Sequence, residues 1–521
     1  MNPYLDLIRS TLPRILSNLN SNKLHPLYGN SDRRYWSWRT IDFTNSTNQG
    51  VVDGMLKLYD ANLWPYSSHK DEFIERLISV FTATRKIVRK DGSLEESFPY
   101  EKSWCVSALV SYNLAGALNN LKNIIDNDTY DLCKDTVQII QTFVCKYPEK
   151  HAVIANHWGA ASASLFRGYK LTGDAYLLNR ANKFLETLLS FQNEDGAFME
   201  YQGFDPGYQT LTMDYLADIY IEHGVKNIEK NIESSLNILD HFVLPDGSFG
   251  GNFGSRGTRI YYPGGISKLA EFFPKARVIT QKMNFNISHQ KTITLLAVDD
   301  GNLSPLFNSY VDSAIACSKE GKQTNITEII TEPYNFRIHY KKTGIIIDKN
   351  RNQHTYISVN KGGYFENYVE NHQIIRGNLS RFVKNRNIVT AEIYNNTNVA
   401  NITGDVITVE SKFGIYNPKI QNAFNLSMSR LVFFMSKNSV KINQLLKKII
   451  VKFFFKENFI KAFSHKRVIY LQEQLVHVDT FDISGSKYIK LNDNNNYFSE
   501  MASAGYWQIG DENNLEANSD S

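Results

Sequence analysis

No run of about 18 apolar residues, the length a membrane-crossing helix needs, occurs in the 521-residue sequence. The nearest approach, "LLKKIIVKFFF", is broken by Lys447, Lys448 and Lys452. Nor does the chain open on a secretory signal. "MNPYLDLIRSTLPRILSNLN" reads as an amphipathic helix charged at Asp6, Arg9 and Arg14, without an apolar core segment or a small-residue cleavage site. A soluble, cytoplasmic protein is expected on that ground. Cysteine is scarce. Cys105, Cys133, Cys145 and Cys317 show no C-x-x-C and no ligand-like spacing, so neither a metal site nor a cofactor is expected. Excess charge is also missing. The net charge is +4 with the signs mixed along the chain, which leaves no basic stripe to read a phosphate backbone and argues against nucleic acid as a partner.

What is abundant is apolar and aromatic surface, 42% and 13% of residues, enough for more than one core at this length. Up to about residue 320 apolar residues recur at spacings of three and four, the pattern of helices joined by short polar loops. Three loops share a phrase: "DGSL" at Asp91, "DGAF" at Asp195 and "DGSF" at Asp246, which fits a period of about 52 with a degenerate copy near residue 143. Asp-Gly is a turn signal. Each unit therefore reads as an outer helix ending near Asp-Gly, a loop, and an inner helix. Thirteen residues past each Asp position stand Trp104, Asn156, Tyr208 and Arg259. In a ring of such hairpins these starts of inner helices meet on one rim, where helix N-termini favour an anion. The connecting loops, "SFPYEKSWC", "MEYQGFDPGYQT" and "GGNFGSRGTRIYYPGG", are long and rich in Gly and aromatics, as binding loops are. They add Tyr201 and Arg256 to the candidate rim. The segment Asp32–Gly50 has the same character.

From about residue 325 the pattern becomes alternating. "FRIHYKKTGIIIDK", "HTYISVNKGGYFENYV", "NIVTAEIYN", "DVITVESKF", "RVIYLQEQLVHVDTFDI" and "KYIKLND" read as strands of an antiparallel sandwich over 325–521. A basic amphipathic insertion near 428–460 interrupts it and is expected to lean on the sheet rather than touch a membrane. The tail after Gly510 is polar and expected to be loose. The fold class expected is α+β multidomain: an N-terminal (α/α) toroid of helical hairpins over 1–320, holding the cleft, followed by the C-terminal β-sandwich.

One stretch asks for more than a fold. "VIANHWGAASASLF" (Val153–Phe166) is a tightly packing, small-residue helix that opens on Asn156, His157 and Trp158. Asn is a good N-cap, which would explain Asn156 alone. The 52-residue spacing from Asn156 to Tyr208 favours a site instead.

With "NHWGAA" on one inner helix, "FDPGYQTLTMDYLA" on the next and a sandwich behind them, the chain resembles the heparinase II/III-like polysaccharide lyases, a group that includes alginate lyases. That resemblance implies β-elimination on a uronate-containing acidic polysaccharide or oligosaccharide. It implies that Asn156 is the carboxylate-binding amide, His157 the catalytic histidine and Tyr208 the catalytic tyrosine. The substrate-binding residues expected around them are Trp104, Trp158, Tyr201, Arg256, Arg259, Tyr364 and His354. Many such lyases carry a His-rich motif in the first strands. Here that region, "QHTYISVNKGGYFENYVENHQ", offers only His354, His372 and Tyr364.

The residue types suit the chemistry. An α-proton next to a carboxylate is weakly acidic, so the enolate charge needs donors, such as Asn156 with Arg256 or Arg259. A base and an acid must move the proton, and histidine and tyrosine fit both tasks. Two alternatives stay open. One is glycoside hydrolysis on the same toroid, with Asp205, Glu200 or Asp53 as acid and base. The other is a non-catalytic glycan-binding or assembly protein that keeps only the cleft. Asp214 and Asp218, one helical turn apart, suggest a carboxylate pair but read more simply as exposed helix surface. Arg256 and Arg259 have a structural reading too, as a clamp on Asp205 or Glu200.

Overall fold

The computed structural model describes residues 2–32, 43–67, 69–320, 335–350, 353–370, 372–384, 387–416, 422–454, 459–472, 475–482 and 489–491. Helices fill the chain as far as Glu320. Six of them, α2 (Val51–Asp60), α4 (Trp104–Leu121), α6 (Ala155–Thr172), α8 (Pro206–Ile221), α10 (Gly264–Leu269) and α12 (Asp300–Glu320), each pack on the next, and α12 returns to α2. That closes an inner ring. Around it lie α1 (Pro3–Asn18), α3 (Lys70–Ile87), α5 (Asn127–Lys146), α7 (Ala175–Leu189), α9 (Glu229–Asp240) and α11 (Pro274–Ser288). The result is an (α/α)6 toroid.

Composition separates the two rings. Outer helices are amphipathic, whereas in α8 every residue from Pro206 to Tyr220 is buried, as expected of a helix surrounded by others. The small residues of α6 allow that closeness. A Cβ on Gly159 would come within 2.9 Å of the Tyr215 ring, and Ser164 meets Ser111 of α4 at 2.7 Å. The Asp-Gly repeat is built the same way each time. Gly92, Gly196 and Gly247 have φ of +89°, +86° and +91°, a region that favours glycine. A Cβ on Gly92 or Gly196 would lie 2.3 or 2.2 Å from a carbonyl oxygen of the neighbouring outer helix.

Charge fills the axis of the ring. Asp53 and Lys57 of α2, Arg167 of α6, Asp218 of α8, Lys268 of α10 and Asp312 of α12 form one buried network. Its links include Lys57–Asp53 at 3.0 Å, Lys57–Asp312 at 2.9 Å, Arg167–Asp218 at 2.7 Å and Lys268–Asp312 at 2.9 Å. Tyr112 of α4 donates to Asp218, so all six inner helices are tied together. Asp214 and Asp218 are therefore not exposed helix surface. Asp218 belongs to this network, and Asp214 is buried and accepts from the Gly265 N–H at 2.5 Å.

Strands begin at Phe336. β1 (Phe336–Tyr340), β2 (Ile345–Lys349), β3 (Gln353–Ser358), β4 (Tyr364–Val369) and β5 (His372–Gly377) form an antiparallel sheet in chain order. The second sheet holds β6 (Arg381–Lys384), β7 (Asn387–Thr390), β8 (Val399–Thr403), β9 (Val406–Tyr416), β10 (Phe459–Tyr470), β11 (Val476–Asp482) and β12 (Ile489–Leu491). Its order is β11-β10-β9-β7-β6-β12, with β8 also paired to β9. Alternation along β2 shows how the layers stack. Ile346 joins Ile357, Phe365, Ile407, Val409 and Ile469 between the sheets, while Ile345 and Ile347 join the core shared with the toroid. The junction is also polar: the Asp195 carboxylate accepts from the Lys342 and Thr343 N–H groups at 2.7 and 2.8 Å.

The insertion between β9 and β10 departs from expectation. It is a helical hairpin, α13 (Ala423–Ser436) and α14 (Val440–Phe454), and it reaches across to the toroid rim. Phe433 stacks on Phe98 at 5.5 Å, Asn443 donates to the Tyr100 carbonyl at 2.8 Å, and Lys447 pairs with Glu101 at 3.3 Å. The sequence shows an amphipathic pattern but not which surface its polar face meets.

Candidate functional site

Beneath that hairpin lies a cavity of about 420 Å³ at the rim where inner helices begin; its lining includes Trp104, Asn156, His157, Tyr201, Tyr208 and Arg256. The period of the repeat explains the convergence, since α4, α6 and α8 begin at 104, 155 and 206. Of the proposed rim segment Asp32–Gly50, residues 33–42 lie outside the described residues, and Thr47 borders the cavity.

Asn156 is not the cap of α6. The cap position is Ile154, which provides no side-chain acceptor. Glu200 acts in its place from the next loop: its Oε1 accepts the Asn156 backbone N–H at 3.1 Å and the Asn156 side-chain amide at 2.8 Å. The other carboxylate oxygen pairs with Arg256 at 3.2 Å. Fully buried, Glu200 thus orients both the amide and the guanidinium. The Arg256 guanidinium lies 3.7 Å from the Tyr208 ring centroid and 5.1 Å from that of Tyr201, a cation–π stack. Burial opposes its charge, but Tyr208, Glu200, Tyr201 and Asp205 outweigh that, so it is held firmly protonated. Tyr201 has a φ of +60°, and Tyr100 and Lys102, in the loop before α4, have +64° and +56°. Left-handed backbone at non-glycine residues costs about 1–2 kcal/mol each and is characteristic of functional loops.

His157 donates from Nδ1 to the Glu149 carboxylate across 2.9 Å. Burial disfavours the imidazolium, yet the Cys105 sulfur and the Glu149 carboxylate overcome it and hold the pKa well above that of an ordinary histidine. Glu149 is correspondingly kept ionised: burial pushes its pKa up, and His157 and His151 pull it below the usual carboxylate range. A second histidine, His151, also borders the cavity and lies 3.3 Å from Glu149. Burial, helped by Lys447 and His157 against the pull of Glu149, lowers its pKa. One imidazole is therefore held charged and its neighbour neutral.

Of the remaining expected residues, Trp104 borders the cavity and Trp158, Arg259, His354 and Tyr364 do not. Trp158 packs against Trp104, Phe184 and Phe191, with centroids 5.1, 5.3 and 6.0 Å away, so it supports the wall and does not border the cavity. Trp104 does, but its indole N–H is spent on the Val144 carbonyl at 2.9 Å. Arg259 is buried and lies outside the cavity lining. Its Gly-rich loop docks on the sandwich, where Ser358 donates to Phe253 O at 2.8 Å and Lys361 to Asn252 O at 3.0 Å. His354 and Tyr364 sit on β3 and β4, away from the cavity; Tyr364 donates to Glu366, and His354 lies edge-on to Phe336 and Tyr356. The side chain of His372 falls outside the described residues.

The carboxylates suggested for hydrolysis are occupied. Asp205 caps α8, accepting from Tyr208 N at 2.9 Å and Thr258 N at 3.0 Å, Glu200 is spent as above, and Asp53 belongs to the axial network. The acids that do border the cavity are Glu96, Glu101 and Glu149. Burial and the charge of Glu101 raise the pKa of Glu96. None of these, nor His151 or Lys447, was marked by the repeat. His151 lies only five residues before Asn156, and that proximity was the available signal. Among the described residues, no group of three His, Cys, Asp or Glu is placed to hold a metal ion.

Comparison with known proteins finds a similar family for the region that carries the cleft. Residues 64–270 match the Ulvan lyase N-terminal domain. No curated protein matches the sequence. Similar solved structures include a Paenibacillus xanthan lyase, at 12% identity and a TM-score of 0.48, covering 80% of this chain and 45% of that one. Chondroitin AC lyase of Streptomyces coelicolor A3 has 8% identity and a TM-score of 0.48, covering 90% of this chain and 66% of that one. Heparinase III has 11% identity and a TM-score of 0.48, covering 92% and 77%. The chain thus spans less than half of the xanthan lyase and about two thirds of the chondroitin lyase. Residues 64–270, which hold Trp104, Asn156, His157, Tyr208 and Arg256 and make up less than half of the chain, are thus similar to the ulvan lyase N-terminal domain.

Proposed function

We propose that the chain cleaves a uronate-containing acidic polysaccharide by β-elimination in this cavity. The observation that carries the reading is the meeting of an amide, a charged imidazole, a neutral imidazole and a phenol beside a fixed guanidinium. The uronate carboxylate lies against Asn156 and the His157 imidazolium, which hold the charge that spreads onto it as the α-proton leaves. Neutral His151 accepts that proton. The C–O bond at the β-carbon breaks, a C=C bond forms between the two carbons, and the Tyr208 hydroxyl protonates the departing oxygen. Arg256, stacked on Tyr208, steadies the phenolate left behind until solvent restores its proton and takes up the one held by His151. Incubation with a panel of acidic polysaccharides should produce the ultraviolet absorbance of an unsaturated uronate. Tyr208→Phe and His151→Ala should each reduce that rate by about a hundredfold or more. If no uronate polymer yields the absorbance, the proposal fails.

One observation favours a second reading, hydrolysis. Glu96 and Glu149 border the same cavity with pKa values pushed in opposite directions, the arrangement an acid and a base require. Hydrolysis would release reducing ends with no new double bond, and Glu96→Gln would abolish it while Tyr208→Phe left much of it intact.

A further inference from the structure

The α13–α14 hairpin has two opposite faces, and only one is used by the toroid. At 3.6 residues per turn, Asn443, Gln444 and Lys447 share one side of α14, and all three contact the rim. Phe433 does the same for α13. On the other side of α13, Phe424, Met428, Leu431 and Met435 recur at intervals of four, three and four. On the other side of α14, Ile442, Leu445 and Ile449 recur at three and four. All seven are exposed, Phe424 and Met435 by 72% and 77%. An apolar stripe of this length facing solvent is unusual in a globular protein and marks a surface that something covers.

Charge identifies what covers it. Between Ala423 and Phe454 the sequence has six Lys or Arg and no Asp or Glu. Lys441 and Lys448 are exposed and flank the α14 stripe one face away, while Lys437 lies over the Phe434 ring at 3.8 Å. We propose that the outer face of this hairpin docks on an anionic lipid bilayer, lying in the interface with the apolar stripe inserted and the lysines at headgroup level. Apolar burial combined with attraction to anionic lipid is how interfacial helices bind. No helix among the described residues is long and apolar enough to cross a membrane, so the contact is one-sided. A second copy of the chain suits this face poorly, because a two-fold contact would bring two basic surfaces together. Since the inner face of the same helices roofs the cavity with Phe433 and Lys447, the cleft would open beside the membrane surface. The inference does not depend on which reaction the cleft performs.

The test is flotation of the full chain with vesicles of phosphatidylcholine alone or mixed with phosphatidylglycerol. The protein should float with the mixed vesicles and much less with the neutral ones. Leu431→Ser with Leu445→Ser should weaken binding by about tenfold or more. Lys441→Glu with Lys448→Glu changes only exposed charges, so it tests the surface even if the first variant folds poorly, and it should abolish the preference for anionic lipid. Absence of flotation, equal flotation with neutral vesicles, or unchanged binding by the lysine variant would overturn the proposal. So would light scattering that shows a dimer lost in either variant, which would assign the face to a second copy.

Discussion

Replacing Asp218 with Asn should weaken the toroid far more than breaking any surface ion pair. Asp218 is 1% exposed and holds Arg167 at 2.7 Å, Lys268 and the Tyr112 hydroxyl. Asp53, Asp218 and Asp312 face Lys57, Arg167 and Lys268, with the half-buried Glu222 3.5 Å from Arg167 at the edge, so the substitution takes from Arg167 and Lys268 the buried carboxylate they share. Removing one partner of a buried pair costs about 3–5 kcal/mol. A toroid of about 320 residues unfolds with an entropy of roughly 0.7 kcal/mol/K, so the helical melting transition should fall by about 4–7 °C. Arg76→Met, which breaks the exposed Arg76–Glu72 pair, should move it by less than about 1 °C. The pH dependence has a definite sign. Burial raises the pKa of Asp218, but Lys268, Arg167 and Lys57 depress it well below the usual carboxylate range. Its contribution is then fully present above the unfolded carboxylate value and is lost as pH falls through the folded one. Circular dichroism melts of both variants at neutral and acid pH decide the matter. Equal shifts in the two variants, or none for Asp218→Asn, would refute a network that closes the ring.

The remaining predictions concern the cleft. Glu149→Gln removes the carboxylate that keeps His157 charged, so the alkaline limb of the pH–rate profile should move to lower pH; an unmoved limb would deny His157 its role as a cation. The same pair contributes stability only between the folded values of the two groups. It is lost as pH falls through the lowered value of Glu149 or rises through the raised value of His157, which denaturation of wild type and Glu149→Gln across pH would reveal. Glu200→Ala should lower turnover by roughly ten- to a hundredfold through misplaced Asn156 and Arg256, with Glu200→Gln retaining more, because its amide oxygen can still accept from Asn156. Lys447→Ala should raise KM for an anionic polymer and move the acid limb of the pH–rate profile to higher pH, since the Lys447 ammonium lowers the pKa of His151.

Much of the fold was legible because it repeats. Asp-Gly turns at a constant interval, each needing a left-handed residue, fixed where outer helices end, and the same interval carried Trp104, Asn156 and Tyr208 to successive starts of inner helices. The alternation after residue 325 likewise marked most strands; β5, β6 and β8 were missed, being short or weakly patterned. The repeat misled at its last copy. Arg259 stands at the right distance from Asp246, but α10 begins only at Gly264, and the loop between them is used to bind the sandwich. A period gives chain position, whereas a side chain's direction depends on what its loop packs against.

The same distinction explains which catalytic candidates were visible. Residues placed by the ring's own repeat, Asn156, His157 and Tyr208, follow from counting. Residues that set their charge do not, because they come from outside the count: Glu200 from the following loop, Glu149 and His151 from the preceding one, and Lys447 from an insertion nearly 300 residues away. An imidazole in a sequence is neither acid nor base until its neighbours are known. Here one carboxylate, Glu149, lies beside two histidines, and their unequal surroundings keep one charged and the other neutral. The division of charge between like side chains is therefore a property of packing, and the α13–α14 roof takes part in it, since the Lys447 ammonium is among the charges that lower the pKa of His151.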